Sequence, residues 1–311
     1  MAVDQRIGML KANIEKIITG KENVVKMAIV TLLAKGHLLI EDVPGVGKTT
    51  LAQAMAHSID CSFKRIQFTS DLLPSDILGV SIYNQSKQQF DFTPGPIFSN
   101  IILADEINRA TPKTQSCLLE SMSETKVSIE NRTFNLPQPF MVIGTQNPVE
   151  YHGTYPLPES QLDRFMVCLK MGYPSSEDEK KILLSPDTST AVSGLSPVLT
   201  GQDILELQEK VKEVRMEEPL VDYILALVEA TRSSGRFNLG VSTRGATYLF
   251  RAVQSLAFVE GRNYGIPDDV KRLVPLIFSH RVIPNEPQGL REEGSAFDRI
   301  SSLLDEIPVP I

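Results

Sequence analysis

The stretch Glu41-Asp-Val-Pro-Gly-Val-Gly-Lys-Thr49 decides how the rest of this chain is read. A short apolar run, His37-Leu-Leu-Ile-Glu41, leads into it, and a helical pattern from Thr49 to Ile59 leads out. A glycine-rich turn between a buried strand and a helix is the setting a phosphate loop requires. Gly45 and Gly47 let the backbone approach phosphate oxygens, with Pro44, Val46 and Thr50 completing the loop and its entry into the helix. Successive N–H groups and the helix N-terminus then stabilise the anion. Lys48 is expected to reach the β- and γ-phosphates, and the Thr49 hydroxyl to ligate Mg²⁺. Asp42 stands where such loops usually begin with glycine. Its carboxylate must therefore turn away from the phosphates, toward solvent or a backbone amide.

Downstream, Ile101-Ile-Leu-Ala-Asp-Glu106 is a buried strand pattern ending in two carboxylates. Alone it could be a strand that merely ends in acidic surface residues. Beside a phosphate loop, Asp105 becomes the candidate for holding Mg²⁺ through water, and Glu106 for polarising the attacking water. Gly144-Thr-Gln-Asn147 closes another strand pattern, and ligands of open parallel sheets gather at carboxyl ends of strands. Asn147 can hydrogen-bond the same water or the γ-phosphate, although Asn147-Pro148 alone reads as a turn. Arg164, before Phe165–Leu169, and Arg244, at a helix start, are candidates for neutralising charge that spreads during hydrolysis. Arg109 is compatible with either a subunit contact or a helix cap.

The runs His37–Glu41, Phe63–Phe68, Ile101–Ala104, Phe140–Thr145 and Phe165–Leu169 predict five short strands separated by helices. That pattern predicts an α/β fold whose parallel sheet is covered on both faces. After Tyr173-Pro174 the periodicity is helical, with segments near Gln202–Val214, Glu218–Arg232, Thr243–Glu260 and Pro267–Phe278. Ser185–Gly201, rich in Ser, Thr, Pro and Gly, reads as a loop. We expect a nucleotide-binding core over 1–173 and a helical domain over 174–311.

Composition narrows the function. The chain has 311 residues and a net charge of −7, which argues against a general nucleic-acid binder. Cys61, Cys117 and Cys168 are scattered without a CxxC, so they read as reduced thiols of a cytoplasmic protein. His37, His57, His152 and His280 show no metal-ligand spacing, and no run can span a bilayer. The N-terminal decapeptide lacks a basic start followed by an apolar run and does not read as a signal peptide.

Several motifs in one order resemble the MoxR family of AAA+ ATPases over nearly the whole chain. They are the loop above, Leu103-Ala-Asp-Glu-Ile-Asn-Arg-Ala110, Gly144–Pro148, Pro158-Glu-Ser-Gln-Leu-Asp-Arg-Phe165, Ser242-Thr-Arg244, Glu260-Gly-Arg262, Pro267-Asp-Asp-Val270 and His280-Arg281. The resemblance implies a five-stranded αβα P-loop core followed by an all-helical lid, and a ring, usually a hexamer, with ATP between subunits. It makes Asn147 sensor one and Arg164 the finger that reaches the neighbour's ATP. It makes Arg244 sensor two, acting from the lid on its own subunit's ATP. Ile18, Thr19 and Gly20 resemble the segment that closes over adenine. Val80–Phe92 and Thr125–Phe134 resemble the helix-two insert and the pre-sensor hairpin. The implied activity is Mg²⁺-dependent ATP hydrolysis that remodels, assembles or activates a protein partner. That partner would carry a von Willebrand factor A domain, with metal cofactor insertion one possible outcome. A nucleic-acid motor of the helix-two-insert clade is the alternative, as is a metal-chelatase-like ATPase subunit. A motor's hairpins should be basic. Here Lys87 is set against Asp91, and Lys126 and Arg132 against Glu130, so no nucleic-acid partner is expected.

Overall fold

A computed structural model describes residues 4–86, 88–129, 132–147, 153–184, 188–285 and 295–309. Lys87, Glu130, Pro148 and His152 lie outside them. The apolar runs become strands β1 (Leu38–Glu41) and β2 (Phe63–Gln67). A hairpin of β3 (Gly79–Asn84) and β4 (Gln89–Pro94) precedes β5 (Ile101–Asp105). A second hairpin, β6 (Lys126–Ile129) and β7 (Arg132–Asn135), precedes β8 (Met141–Gln146) and β9 (Val167–Leu169). One parallel sheet forms in the order β2-β5-β8-β1-β9, with Leu38 level with both Ile143 and Val167. The hairpins meet through Phe92 and Phe134, stacked with ring centroids 4.6 Å apart.

Alternation of side chains explains why both faces of the sheet are apolar. Leu38 and Ile40 bury into a layer with α1 (Gln5–Glu15), α2 (Glu22–Leu33) and α3 (Lys48–Ser58). Leu39 points the other way, into a layer with Phe165 and with Leu118, Leu119 and Met122 of the helix Pro112–Glu124. That helix is α5, after the short α4 (Pro74–Leu78), and α6 (Glu159–Leu162) precedes β9.

Beyond β9 the chain is mainly helical, with α7 (Ser176–Leu184), α8 (Thr188–Ser193), α9 (Gly201–Val211), α10 (Glu218–Ser233), α11 (Thr243–Val259), α12 (Pro267–Phe278) and α13 (Ala296–Glu306). A short antiparallel pairing of β10 (Phe237–Leu239) and β11 (Ile283–Pro284) joins them. The segment read as a loop therefore holds a helix, α8. It packs against α3, and burial of Val192 (3% exposed) outweighs the turn-forming composition.

The lid docks on α2, whose residues Met27–Leu33 are all buried. Ser255 Oγ donates to the Val30 carbonyl (2.8 Å), and Gln208 Nε2 donates to the Leu32 carbonyl (2.8 Å). This docking lays the lid along the α2 and β9 side of the core.

His37 sits at the amino end of β1, fully buried. Its Nδ1 accepts from the Val142 N–H (3.0 Å), so Nε2 carries the proton donated to the Met122 carbonyl (3.1 Å). Burial holds this neutral ring down to a pKa of about 4.

Candidate active site

The carboxyl ends of β1, β5 and β8 converge on one cavity of about 370 Å³. Pro44, Gly45, Gly47, Lys48, Thr49 and Thr50 line it from one side. Asp105, Glu106 and Asn147 line it from the next two strands, with Arg65 and Gln67 from β2. Three motifs far apart in sequence thus meet because parallel strands deliver their carboxyl ends to one edge. Gly45 (φ +86°) and Gly47 (φ +93°) adopt left-handed conformations that side chains disfavour. Val46 does not line the cavity and packs against the hydrophobic core.

Asp42 turns from the cavity to backbone amides. Its carboxylate accepts from the Val43 N–H (2.8 Å) and from the Gly172 N–H beyond β9 (2.6 Å). The phosphate loop is thereby tied to the segment leading into the lid. Lys48 Nζ donates to the Asp42 carbonyl (2.7 Å). Burial lowers the Lys48 pKa, while the nearby carboxylates of Asp105, Asp42 and Glu106 oppose that shift.

Thr145, fully buried, organises both acidic residues. Its hydroxyl donates to Asp105 Oδ1 (2.6 Å) and accepts from the Glu106 N–H (2.9 Å). Glu106 has φ +57°, a left-handed conformation costing about 1–2 kcal/mol for a residue with a Cβ. The Thr145 bond helps to hold it. Gln67 Nε2 donates to the Glu106 carboxylate (2.9 Å), and Arg109 Nε pairs with it at 3.1 Å. Arg65 grips Asp105 Oδ2 through Nη2 (2.7 Å) and Nε (3.1 Å).

Sequence reading missed Arg65, Gln67 and the bridging role of Thr145. The role of β2 comes from its pairing: register sets Gln67 level with Asp105, so the carboxyl end of that strand belongs to the same edge. Arg109 resolves as a partner of Glu106.

Two sets of expected residues lie away from this cavity in the single chain. Ile18, Thr19 and Gly20 do not line this cavity. Ile18 is buried in the core between α1 and α2, and Gly20 is pressed against Asp178 of α7, where a Cβ would collide with the carboxylate. Arg244 does not line it either. It shares a separate cavity of about 310 Å³ with Arg164, Glu120 and Glu124, and pairs with Asp163 at 3.4 Å. The reason is the docking of the lid on α2, which brings the start of α11 to the end of α6. Arg164 precedes β9, so it lies at the amino ends of the parallel strands, whereas the phosphate loop follows the carboxyl end of β1. Its Nη1 donates to the Leu119 carbonyl (2.6 Å) and Ser123 hydroxyl (2.8 Å).

A phosphate loop entering α3, an acidic pair ending a central strand and a helical lid define an AAA+ P-loop ATPase. Residues 37–167 match the ATPase family associated with various cellular activities (AAA), and 229–301 match the AAA lid domain. The chain is 46% identical to YeaC of Bacillus subtilis (strain 168), an uncharacterised protein, over 98% of this chain and 95% of that one. It is 41% identical to Chaperone MoxR1 of Mycobacterium tuberculosis, over 96% of this chain and 80% of that one. A crystal structure of a candidate ATPase from Cytophaga hutchinsonii superimposes with TM-score 0.88 at 36% identity, covering 98% of this chain and 95% of that one. The chain belongs to the MoxR family of AAA+ ATPases.

Proposed function

We propose that this chain hydrolyses ATP with Mg²⁺, in a ring of usually six subunits, to remodel, assemble or activate a protein partner. The observation that carries the reading is the single cavity shared by Lys48 and Thr49, Asp105 and Glu106, and Asn147. ATP lies with its phosphates against the N–H groups of Gly45–Thr49 and against Lys48. Thr49 and Asp105 would hold Mg²⁺, whose role when bound is to neutralise the β- and γ-oxygens. These hard oxygen donors fit the ion, which takes few protein ligands and keeps waters and phosphate oxygens. Among the described residues there is no cluster of three acidic, His or Cys groups that could form an all-protein cage. Glu106 takes the proton of the attacking water, and Asn147 orients that water. Gln67 and Arg109 both engage Oε2 of Glu106, and Oε1 of the same carboxylate is the oxygen left to act as the base.

Arg164 and Arg244 share one cavity at the opposite end of the sheet, so both serve the nucleotide of an adjacent subunit. The functional division falls near 173/174, between the last strand of the sheet and α7. Chaperone MoxR1, by its name, supports a protein partner. A von Willebrand factor A domain in that partner, and metal cofactor insertion as its outcome, follow from the family resemblance. Free Cys61, Cys117 and Cys168 favour the cytoplasm as the place of action. Burial pushes the thiols of Cys61 and Cys117 up to about 11, which fits inert thiols and not reactive ones. No helix among the described residues is long and apolar enough to cross a membrane.

The test uses Glu106→Gln as bait in a cell extract with ATP or ADP. ATP-dependent capture of a protein with a von Willebrand factor A domain is expected. Nuclease-sensitive capture of DNA or RNA without such a protein overturns the reading.

A further inference from the structure

Arg164 is reached by the lid of its own chain through the residues that flank it. Asp163, immediately before it, accepts from Arg281 Nε at Oδ1 (2.9 Å) and from Ser242 Oγ at both oxygens (3.0 Å each). Arg281 also donates to the backbone carbonyls of Phe165, Met166 (3.3 Å) and Asp163 (3.3 Å), and to that of Ile277 in α12. The Tyr248 hydroxyl donates to the carbonyl of Arg164 itself (3.4 Å).

The Arg281 side chain is only 1% exposed, and its ion-pair partner Asp163 15%. Burying a guanidinium in this way is costly unless it is paired and its donors are satisfied. Four of its six polar contacts go to one four-residue segment, 163–166. The guanidinium carbon lies 5.3 Å from the centre of the Tyr248 ring. Its Nη1 lies 2.6 Å from His280 Nε2, which also stands 3.0 Å from the Phe165 carbonyl. Gly245, next to Arg244, leaves the room this needs: a Cβ there would lie 2.9 Å from Arg281 Cδ. A buried charge with most of its contacts on the flanks of one arginine ties the backbone around Arg164 to the lid.

We propose that Arg281 and Asp163 are the positioning pair through which the lid sets Arg164, so that lid position in one subunit governs turnover at the next subunit's nucleotide. This rests on the reading of Arg164 given above and adds the device that aims it. Neither Arg281 nor Asp163 touches substrate. They act by fixing the backbone from which Arg164 extends, and a misplacement of about 1 Å at such a group can cost up to about 100-fold in rate.

The test mixes two full-length variants. Glu106→Gln subunits cannot hydrolyse but supply Arg164. Arg164→Ala subunits supply an intact phosphate site. Turnover of the mixture above the sum of the two alone establishes the reading of Arg164, and its absence overturns that reading and the proposal together. Arg281→Met is then added to the Glu106→Gln subunit. The proposal expects regained turnover to fall at least about tenfold, with the variant's own ATP affinity and cooperative unfolding retained. Unchanged turnover overturns the proposal while leaving the reading of Arg164 standing. A fall accompanied by lost ATP affinity shows a merely structural role and overturns it as well. Should Arg281→Met fail to fold, Asp163→Asn, which keeps the shape and removes the charge, decides by the same measurements.

Discussion

The nucleotide cavity and the arginine cavity stand at opposite ends of the same parallel sheet, and they are built differently. At the carboxyl end, glycines, Lys48, Asp105, Glu106 and Asn147 come from loops and strand ends of the core and need no lid. At the amino end, Arg164 is held by α5 on one side and by lid residues on the other, and Arg244 comes from the lid itself. The first region is complete within one chain. The second presents charge with no phosphate site of its own. On the proposed reading this division makes chemistry conditional on a neighbour, because Arg164, the group proposed to stabilise the transition state, stands at the opposite end of the sheet from the loop proposed to bind ATP.

The largest expected effect breaks the comparison from the amino end. Arg164→Ala should lower turnover by about 1,000-fold while leaving nucleotide affinity nearly unchanged. Equilibrium titration of the variant with a fluorescent ATP analogue, beside steady-state turnover, checks this. A comparable loss of affinity would place Arg164 in its own chain's site.

The second prediction concerns what holds that end together. His37 accepts from the Val142 N–H and donates to α5, while its carbonyl accepts from the Met166 N–H (2.8 Å). Its pKa is about 4 folded against an ordinary 6.5, so the unfolded chain binds the extra proton between those values. Stability from this group is complete above pH 6.5 and is lost as pH falls toward 4, by about 3 kcal/mol. Denaturant unfolding at pH 7 and pH 4.5 should show that loss, which should shrink in His37→Gln.

Breaking the other end should separate binding from catalysis. Lys48→Ala should weaken ATP binding about 100-fold through loss of a charge-assisted contact, measurable by calorimetry. The smallest effect sharpens the link between regions. Asp42→Asn leaves either the Val43 or the Gly172 N–H without its carboxylate acceptor, costing about 1–2 kcal/mol in unfolding free energy.

The two ends also differed in how legible they were. The phosphate loop, the acidic pair and Asn147 could be placed at strand ends because each motif lies beside its own strand and carries its chemistry locally. The alternating apolar runs located all five strands of the sheet, and four lid helices began within a residue of their expected starts. Gln67 and Arg65 were missed because their role depends on which strand lies beside β5, and that is a fact of topology. The position of Arg244 was not legible for a related reason. A helix start indicates where a guanidinium leaves the chain, but only the packing of α9 and α11 on α2 decides which end of the sheet it meets. Asp42 shows the intermediate case: exclusion from the phosphates was readable, and its partner Gly172 was not.

The central claim is that a complete site needs two subunits. Glu106→Gln and Arg164→Ala proteins, each nearly inactive, should be mixed over a range of ratios and ATP turnover followed. Turnover should rise well above the sum of the separate proteins, greatest at intermediate ratios, where Arg164→Ala sites face intact arginines. Turnover that stays at the sum across all ratios, with mixed assemblies demonstrated, would contradict the claim.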